Sequence, residues 1–223
     1  MTNPDAYQFH KVPNTAANQF KGQLLVSDQV SAQDVGLVWR ELEKTLAANV
    51  PGDIVEFGCY VGTTSLFIRR LLDQGGQSSA RQFHVYDSFT GLPGKLPQDA
   101  SAAGVDFQAG KLSVSKKEFL NQFRAANLKP PVVHKGWFDN LAAQDVPEQI
   151  AFAFLDGDFY GSILASLQLV WPQMNPGGVV LIDDYQRDSL PGVERAIRDF
   201  FQGKTTPTIR TEHNIAVIYR PGR

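Results

Sequence analysis

Apolar positions set the reading frame of this chain. Between residues 31 and 49, "SAQDVGLVWRELEKTLAAN", Val35, Val38, Leu42 and Leu46 recur at three- and four-residue steps, which predicts a helix with one buried face. "GDIVEFG" is a short apolar strand and "TTSLFIRRLLDQ" a helix directly after it. The alternation then repeats. "RQFHVYDS" reads as strand, and "SKKEFLNQFRAAN" as helix, opened by an N-cap at Ser115 with Glu118 completing a capping box. "PPVVHKG" and "QIAFAFLDG" read as strands, "SILASLQLVWPQM" as helix, "NPGG" as a turn, "VVLIDDY" as strand and "GVERAIRDFFQ" as helix. Strands alternating with helices predict a mostly parallel sheet covered on both faces. "TPTIR" and "NIAVIYR" leave room for only a turn between them, so that closing pair is antiparallel.

Two stretches carry no such pattern. Residues 1–30 are polar and predict an arm or lid ahead of a single domain over residues 31–223. Residues 90–110 form a long Gly-, Pro- and Ala-rich passage, and loops of that length in a compact domain are commonly functional.

Composition narrows the partners. Lys plus Arg total 21 against 23 Asp plus Glu, a net charge of −2 with no basic excess to hold nucleic acid. The single cysteine, Cys59, permits no internal disulfide. The start lacks the apolar core of a signal peptide, and no run reaches the roughly 18 apolar residues of a membrane span. A cytoplasmic protein with no membrane or nucleic-acid partner is expected, and its 223 residues suit one α/β domain.

The chemistry lies where apolar runs end. "FLDGDFYGS" and "VVLIDDYQ" place Asp156, Asp158, Asp183 and Asp184 directly after strands. Like charges about 4 Å apart repel by roughly 4 kcal/mol at an effective dielectric of 20. Singly, each acid is an ordinary cap or turn residue; gathered together, they need a positive partner or a shared proton. Asp156, Asp183 and Asp184 offer the oxygen ligands that suit Mg²⁺. An ion there would bind substrate hydroxyls and lower their pKa, with Asp158 as general base.

The first strand-to-helix turn, "EFGCYVGTTS", spaces Gly58 and Gly62 as G-x-x-x-G. Gly58 permits a sharp turn, and Gly62 with Thr63 and Thr64 opens a helix whose free N–H groups face outward. The spacing matches neither the G-x-G-x-x-G of dinucleotide sites nor a P-loop. The next strand ends in Asp87, an acid able to accept hydrogen bonds from both ribose hydroxyls. Glu56, Gly58, Gly62 and Asp87 thus outline an adenosine pocket without a diphosphate cradle, the pattern of a class I S-adenosylmethionine-dependent methyltransferase.

"VEFGCYVGTTS", "HVYDSFTGLP", "KGWF", "AFLDGDFYGSI" and "PGGVVLIDDY" follow one another as in the macrocin O-methyltransferase-like family (TylF/MycF type), which the chain resembles from about Gly52 to Phe201. The resemblance implies a Rossmann-like fold with a seven-stranded sheet, and Mg²⁺-dependent methylation of a small-molecule hydroxyl, typically on a sugar of a natural product. Carried over residue by residue, it implies metal ligation by Asp156, Asp183 and Asp184 and a base at Asp158. Cofactor contacts would come from Glu56, Phe57, Gly58, Gly62 and Thr63, then from Asp87, Ser88 and Asp156. Gly136, Trp137 and Phe138 would flank the adenine. Tyr185, Arg187 and His213 are candidate substrate contacts. The family's N-terminal region helps form a lid and a homodimer.

One departure from the family and one difference from a rival family bear on the acceptor. Antibiotic-sugar members carry Trp-Arg-Gly where this chain has Tyr60-Val61-Gly62. Metal-dependent catechol methyltransferases, an alternative with the same acidic arrangement, place a lysine where this chain has Phe159. "FLDGDFY" also matches the D-x-D motif of haloacid-dehalogenase-type phosphatases, but that reading leaves the glycine loop and Asp87 unused. A nucleotide-binding module without chemistry would have no use for four acids that repel. Cys59, His84 and His134 read as structural, and His10 lies in the unpatterned start.

Overall fold

The computed structural model describes residues 25–27 and 29–222. Helix α1 (Ala32–Ala47) starts at Ser31, whose hydroxyl accepts from the Asp34 N–H at 3.2 Å while the Asp34 carboxylate accepts from the Ser31 N–H at 3.1 Å. Strand β1 (Asp53–Phe57), helix α2 (Thr63–Gln74) and strand β2 (Phe83–Asp87) follow. Next come α3 (Lys116–Ala125), with the expected Ser115–Glu118 capping box, β3 (Val132–Lys135), β4 (Ile150–Leu155) and α4 (Tyr160–Val170). The chain closes with β5 (Met174–Ile182), α5 (Gly192–Phe201), β6 (Ile209–Glu212) and β7 (Ile215–Tyr219). The arm expected over residues 1–30, His10 included, lies mostly outside the described residues. No described helix is long and apolar enough to cross a membrane.

The seven strands run in the order β3-β2-β1-β4-β5-β7-β6, parallel up to β5, with β7 antiparallel to both β5 and β6. This is the mostly parallel sheet expected from the alternation and the seven-stranded Rossmann-like fold that the resemblance implied. Strand β4 is buried along its whole length, and its side chains alternate between two cores. Phe152 and Phe154 face α1 and α2, while Ala153 and Leu155 face α4 and α5. Full burial of side chains of this size contributes roughly 1.5–3 kcal/mol each.

Register aligns the strand ends. His134 pairs with Tyr86, Tyr86 with Phe57, Phe57 with Leu155 and Leu155 with Ile182. The residues just beyond, Asp87, Gly58, Asp156 and Asp183, therefore stand abreast on one edge. The winding reverses between β1 and β4, where open α/β sheets bind ligands.

The expected turn at "NPGG" is corrected: residues 175–178 lie inside β5. Pairing jumps from Ile150–Met174 to Phe152–Val179, so the Pro-Gly-Gly makes a bulge. The Gly177 N–H donates to Arg220 O at 2.9 Å, and Gly178 O accepts the Arg220 N–H at 2.7 Å, so the end of the chain converts a turn signal into strand. His213 (φ 51°) and Asn214 (φ 59°) form the two-residue hairpin joining β6 to β7.

The hairpin is tied to α1 by charge. The Glu41 carboxylate is fully buried and accepts from Arg210 at 2.7 Å, Arg40 at 2.9 Å, Lys44 at 3.0 Å and the Tyr219 phenol. Arg40 also binds Glu212 through both terminal nitrogens, at 2.9 and 2.7 Å.

Candidate functional site

Beyond the aligned strand ends lies a cavity of about 670 Å³. One wall is the turn after β1. Gly58 sits at φ 86°, and a Cβ there would meet Asp156 O at 1.8 Å, so only glycine lets this turn pass β4. Asp87 locks the turn: its Oδ2 accepts from Cys59 N at 2.9 Å and its Oδ1 from Phe89 N at 2.6 Å. Tyr60 N donates to Oδ2 as well, at 3.4 Å, so of the roughly four acceptor sites of a carboxylate Asp87 keeps about one for a hydroxyl. Tyr60 lies on the same turn in the left-handed region (φ 46°), a strained conformation of the kind that gathers at binding sites.

Behind this wall, Glu56 accepts a short hydrogen bond from the Ser65 hydroxyl, and burial pushes its carboxyl up to about 8. Thr63 lines the cavity with a buried Oγ1 that has no partner. A cavity-facing orphan hydroxyl above a glycine-only turn suits an adenosine-type ligand. Ser88, Trp137, Phe138 and Asp139 line the cavity as well. Phe57, Gly62 and Gly136, expected as cofactor contacts, do not line it. Phe57 is fully buried between Tyr86, stacked at 4.3 Å, and Phe138, edge-on at 5.2 Å.

The floor is acidic. One ligand oxygen each from Asp156, Asp183 and Asp184 lies within 4.8 Å of the others. Asp184 is buried and Asp156, Asp158 and Asp183 partly so. Asp158 and Asp184 both adopt left-handed backbone, at φ 59° and 58°, which short polar side chains tolerate. Burial raises all four carboxyls above the ordinary range; repulsion within the group adds to it for Asp156, Asp158 and Asp183, and for Asp184 the upward push of burial and Asp34 works against Arg187. Arg187, whose Nη1 lies 2.5 Å from Asp184 Oδ1, is the cation that answers them among the described residues. Three converging oxygens with such a charge deficit fit a hard divalent ion.

The opposite wall comes from residues 90–110, and sequence reasoning missed how it is held. Asp99, 1% exposed, accepts from Leu96 N at 2.9 Å and from Tyr160 N, at the start of α4, at 2.7 Å. Arg195 of α5 donates to Gln98 O at 2.6 Å, and Ser101 Oγ to Asp188 O at 2.6 Å. Leu92, Leu96, Phe107 and Leu112 give this wall an apolar lining. An acid within the Gly- and Pro-rich loop was the available signal.

Of the candidate substrate residues, Arg187 borders the cavity and the other two do not. Tyr185 faces a separate groove with Glu194 and Lys204. His213 lies on the correct edge but in the outer hairpin, half-exposed beside Glu212 at 3.9 Å. Ser27, Gln29 and Val30, at the end of the expected arm, line the cavity. Burial raises the Cys59 thiol well above its usual range, as suits a packing residue. His84 and His134 contact each other at 3.1 Å and stack with Tyr86, as the structural reading expects.

The 8-demethyl-8-(2,3-dimethoxy-alpha-L-rhamnosyl)-tetracenomycin-C 4′-O-methyltransferase of Streptomyces olivaceus is 34% identical over 66% of this chain and 58% of its own length. The demethyldecarbamoylnovobiocin O-methyltransferase of Streptomyces niveus is 31% identical over 65% of this chain and 56% of its own. The chain thus matches less than two thirds of the length of either relative. The solved O-methyltransferase NovP superposes with a TM-score of 0.75 at 25% identity, covering 86% of this chain and 81% of that one. The model of the macrocin O-methyltransferase (TylF) family matches residues 7–220, nearly the whole sequence, and the protein belongs to that family.

Proposed function

We propose that this protein transfers a methyl group from S-adenosylmethionine to a hydroxyl on the sugar of a natural product, with Mg²⁺ at Asp156, Asp183 and Asp184. The carrying observation is the convergence of those three carboxylates, within 4.8 Å, on the floor of a cavity whose wall is the glycine turn. Family membership supports methyl transfer, and a relative named for a rhamnosyl-tetracenomycin supports the sugar.

Bound S-adenosylmethionine supplies an electrophilic methyl group and leaves as S-adenosylhomocysteine. Bound Mg²⁺ supplies a Lewis acid that makes a hydroxyl easier to deprotonate. The chain's own residues do the rest. Glu56, Thr63 and Asp87 offer polar contacts to the nucleoside, and Trp137 and Phe138 offer flat apolar surface. The apolar wall of Leu92, Leu96 and Phe107 seats the acceptor and excludes water. Asp158 would accept the proton, its carboxyl pushed up by burial and Asp184 and drawn down by Arg187. Holding the reactants in line adds the acceleration of an oriented encounter.

The test is transfer of labelled methyl to a panel of glycosylated and catechol acceptors, with and without EDTA. Asp158→Asn should keep cofactor affinity by calorimetry while turnover falls roughly 10²–10⁴-fold, the usual worth of a general base. Unchanged turnover removes Asp158 from the reaction. Activity indifferent to EDTA removes the metal, and label appearing only in catechols replaces the sugar.

A further inference from the structure

We propose that Arg187 is a built-in counter-ion that competes with the divalent ion for Asp184 and so sets how tightly the acidic centre binds metal. This rests on the metal reading above.

Arg187 Nη1 lies 2.5 Å from Asp184 Oδ1, one of the three converging carboxylates. Among the described residues, no other Lys, Arg or His lies within ion-pair distance of Asp156, Asp158, Asp183 or Asp184. The pair is asymmetric, since the Asp184 side chain is 9% exposed and that of Arg187 47%. The carboxylate is fixed and the guanidinium has solvent to move into. Their backbones form one tight turn, with Arg187 N donating to Asp184 O at 3.3 Å. In the same position the guanidinium lies 5.7 Å over the Phe107 ring of the 90–110 loop, a contact it can keep if its bond to Asp184 is broken.

An ion taking Asp184 as ligand must share that carboxylate with the guanidinium or displace it towards solvent, losing a charge-assisted hydrogen bond. Two cations on one carboxylate stand about 6 Å apart, where even the dielectric of water leaves a dication and a guanidinium repelling by an amount worth roughly ten-fold in affinity. Removing the positive charge should therefore tighten metal binding. It should also leave the metal-free protein less stable, since nothing then offsets the four carboxylates.

Mn²⁺ is the probe, its affinity read by electron paramagnetic resonance and its effect on Tm by thermal denaturation. Arg187→Gln should bind Mn²⁺ about ten-fold or more tighter than the wild type. Its Tm without metal should be lower and its gain on adding Mn²⁺ larger. Arg187→Lys keeps the charge and should stay near the wild-type affinity. If the wild type binds Mn²⁺ and Arg187→Gln binds it equally or more weakly, the counter-ion role is overturned while the metal centre stands. If the wild type binds no Mn²⁺ and Asp183→Asn behaves identically, the metal reading falls and the competition falls with it. Should the Gln variant fail to fold, Arg187→Met removes the same charge, and an affinity for Mn²⁺ no tighter than the wild type's overturns the proposal.

Discussion

Asp99 offers the sharpest test of how the acceptor wall is held. Its two oxygens accept from Tyr160 N at 2.7 Å and Leu96 N at 2.9 Å, and the residue is 1% exposed. Gly192 of α5 packs so closely that a Cβ there would lie 1.9 Å from Asp99 Oδ1, so three segments meet on this carboxylate. Asp99→Ala strips the acceptor from two N–H groups, each costing about 1–3 kcal/mol when left unsatisfied. Tyr160 N also opens α4, where a negative charge complements the helix dipole. Water entering the vacated space returns part of the loss, leaving about 2–4 kcal/mol. For a domain of this size that lowers Tm by roughly 5–15 °C. Asp99→Asn keeps an acceptor for Tyr160 N and should lose about half as much. Because Asp99 holds the 90–110 wall and not the glycine turn, acceptor KM should rise while cofactor affinity holds. Thermal denaturation, calorimetry with the cofactor and steady-state kinetics read these quantities. An Ala variant within 1 kcal/mol of the wild type and with unchanged KM would refute the latch, and a parallel loss of cofactor affinity would refute the separation of the two walls.

Gly58→Ala forces a Cβ to 1.8 Å from a backbone oxygen of Asp156, which cannot yield, so soluble protein with normal cofactor affinity is not expected; calorimetry on any purified variant checks it. Gly62→Ala, whose Cβ meets the Phe119 ring at 2.9 Å, should lose roughly 1–2 kcal/mol for its left-handed backbone plus some repacking, and remain folded in urea titration. For Glu41, the hydrogen bonds from Tyr219, Arg210, Lys44 and Arg40 outweigh burial and bring its carboxyl from 4.5 down to about 2. That difference is worth about 3 kcal/mol, which solvent around Lys44 and Arg210 trims to about 2. A depressed carboxyl stabilises above its unfolded value and loses that contribution as pH falls. The gap in unfolding free energy between wild type and Glu41→Gln should therefore be full near pH 6, shrink below about 4.5 and close near 2; a gap independent of pH would show that packing, not charge, holds the hairpin to α1.

The elements legible in the sequence are those whose causes are local. Apolar runs located β1, β2 and β4, and the Ser115–Glu118 box opened α3 where expected. Helix α4 was expected from Ser162 and begins at Tyr160, because its first N–H is capped by Asp99, remote in sequence, and not by a neighbour. "NPGG" carries a true turn composition, yet Arg220 at the far end of the chain draws it into β5. Alternation fails for Tyr185 because Asp184 (φ 58°) and Gln186 (φ 60°) twist the chain past the end of β5. Asp183 and Asp184 then both border the cavity while Tyr185 turns to another groove. His213 was placed on the right edge by topology, but β6 and β7 stack outward from β5 and carry it away from the cavity.

The two walls of the cavity were not equally legible. The glycine turn and Asp87 are strand ends, spelled out by consecutive residues and aligned by sheet register. The facing wall is assembled from contacts between distant segments, Asp99 to Tyr160, Ser101 to Asp188 and Arg187 to Phe107. Sequence motifs therefore speak to the wall proposed for the methyl donor and say little about the wall proposed for the acceptor, a loop that docks onto α4 and α5 without belonging to the sheet. Substitutions that reshape residues 90–110 while sparing Asp99 can change which hydroxyl compound binds and leave the strand-end acids where they are. If the proposed reaction holds, acceptor choice follows from how the loop is moored, and the mooring points Asp99, Ser101 and Arg195 are where a change of substrate should be sought.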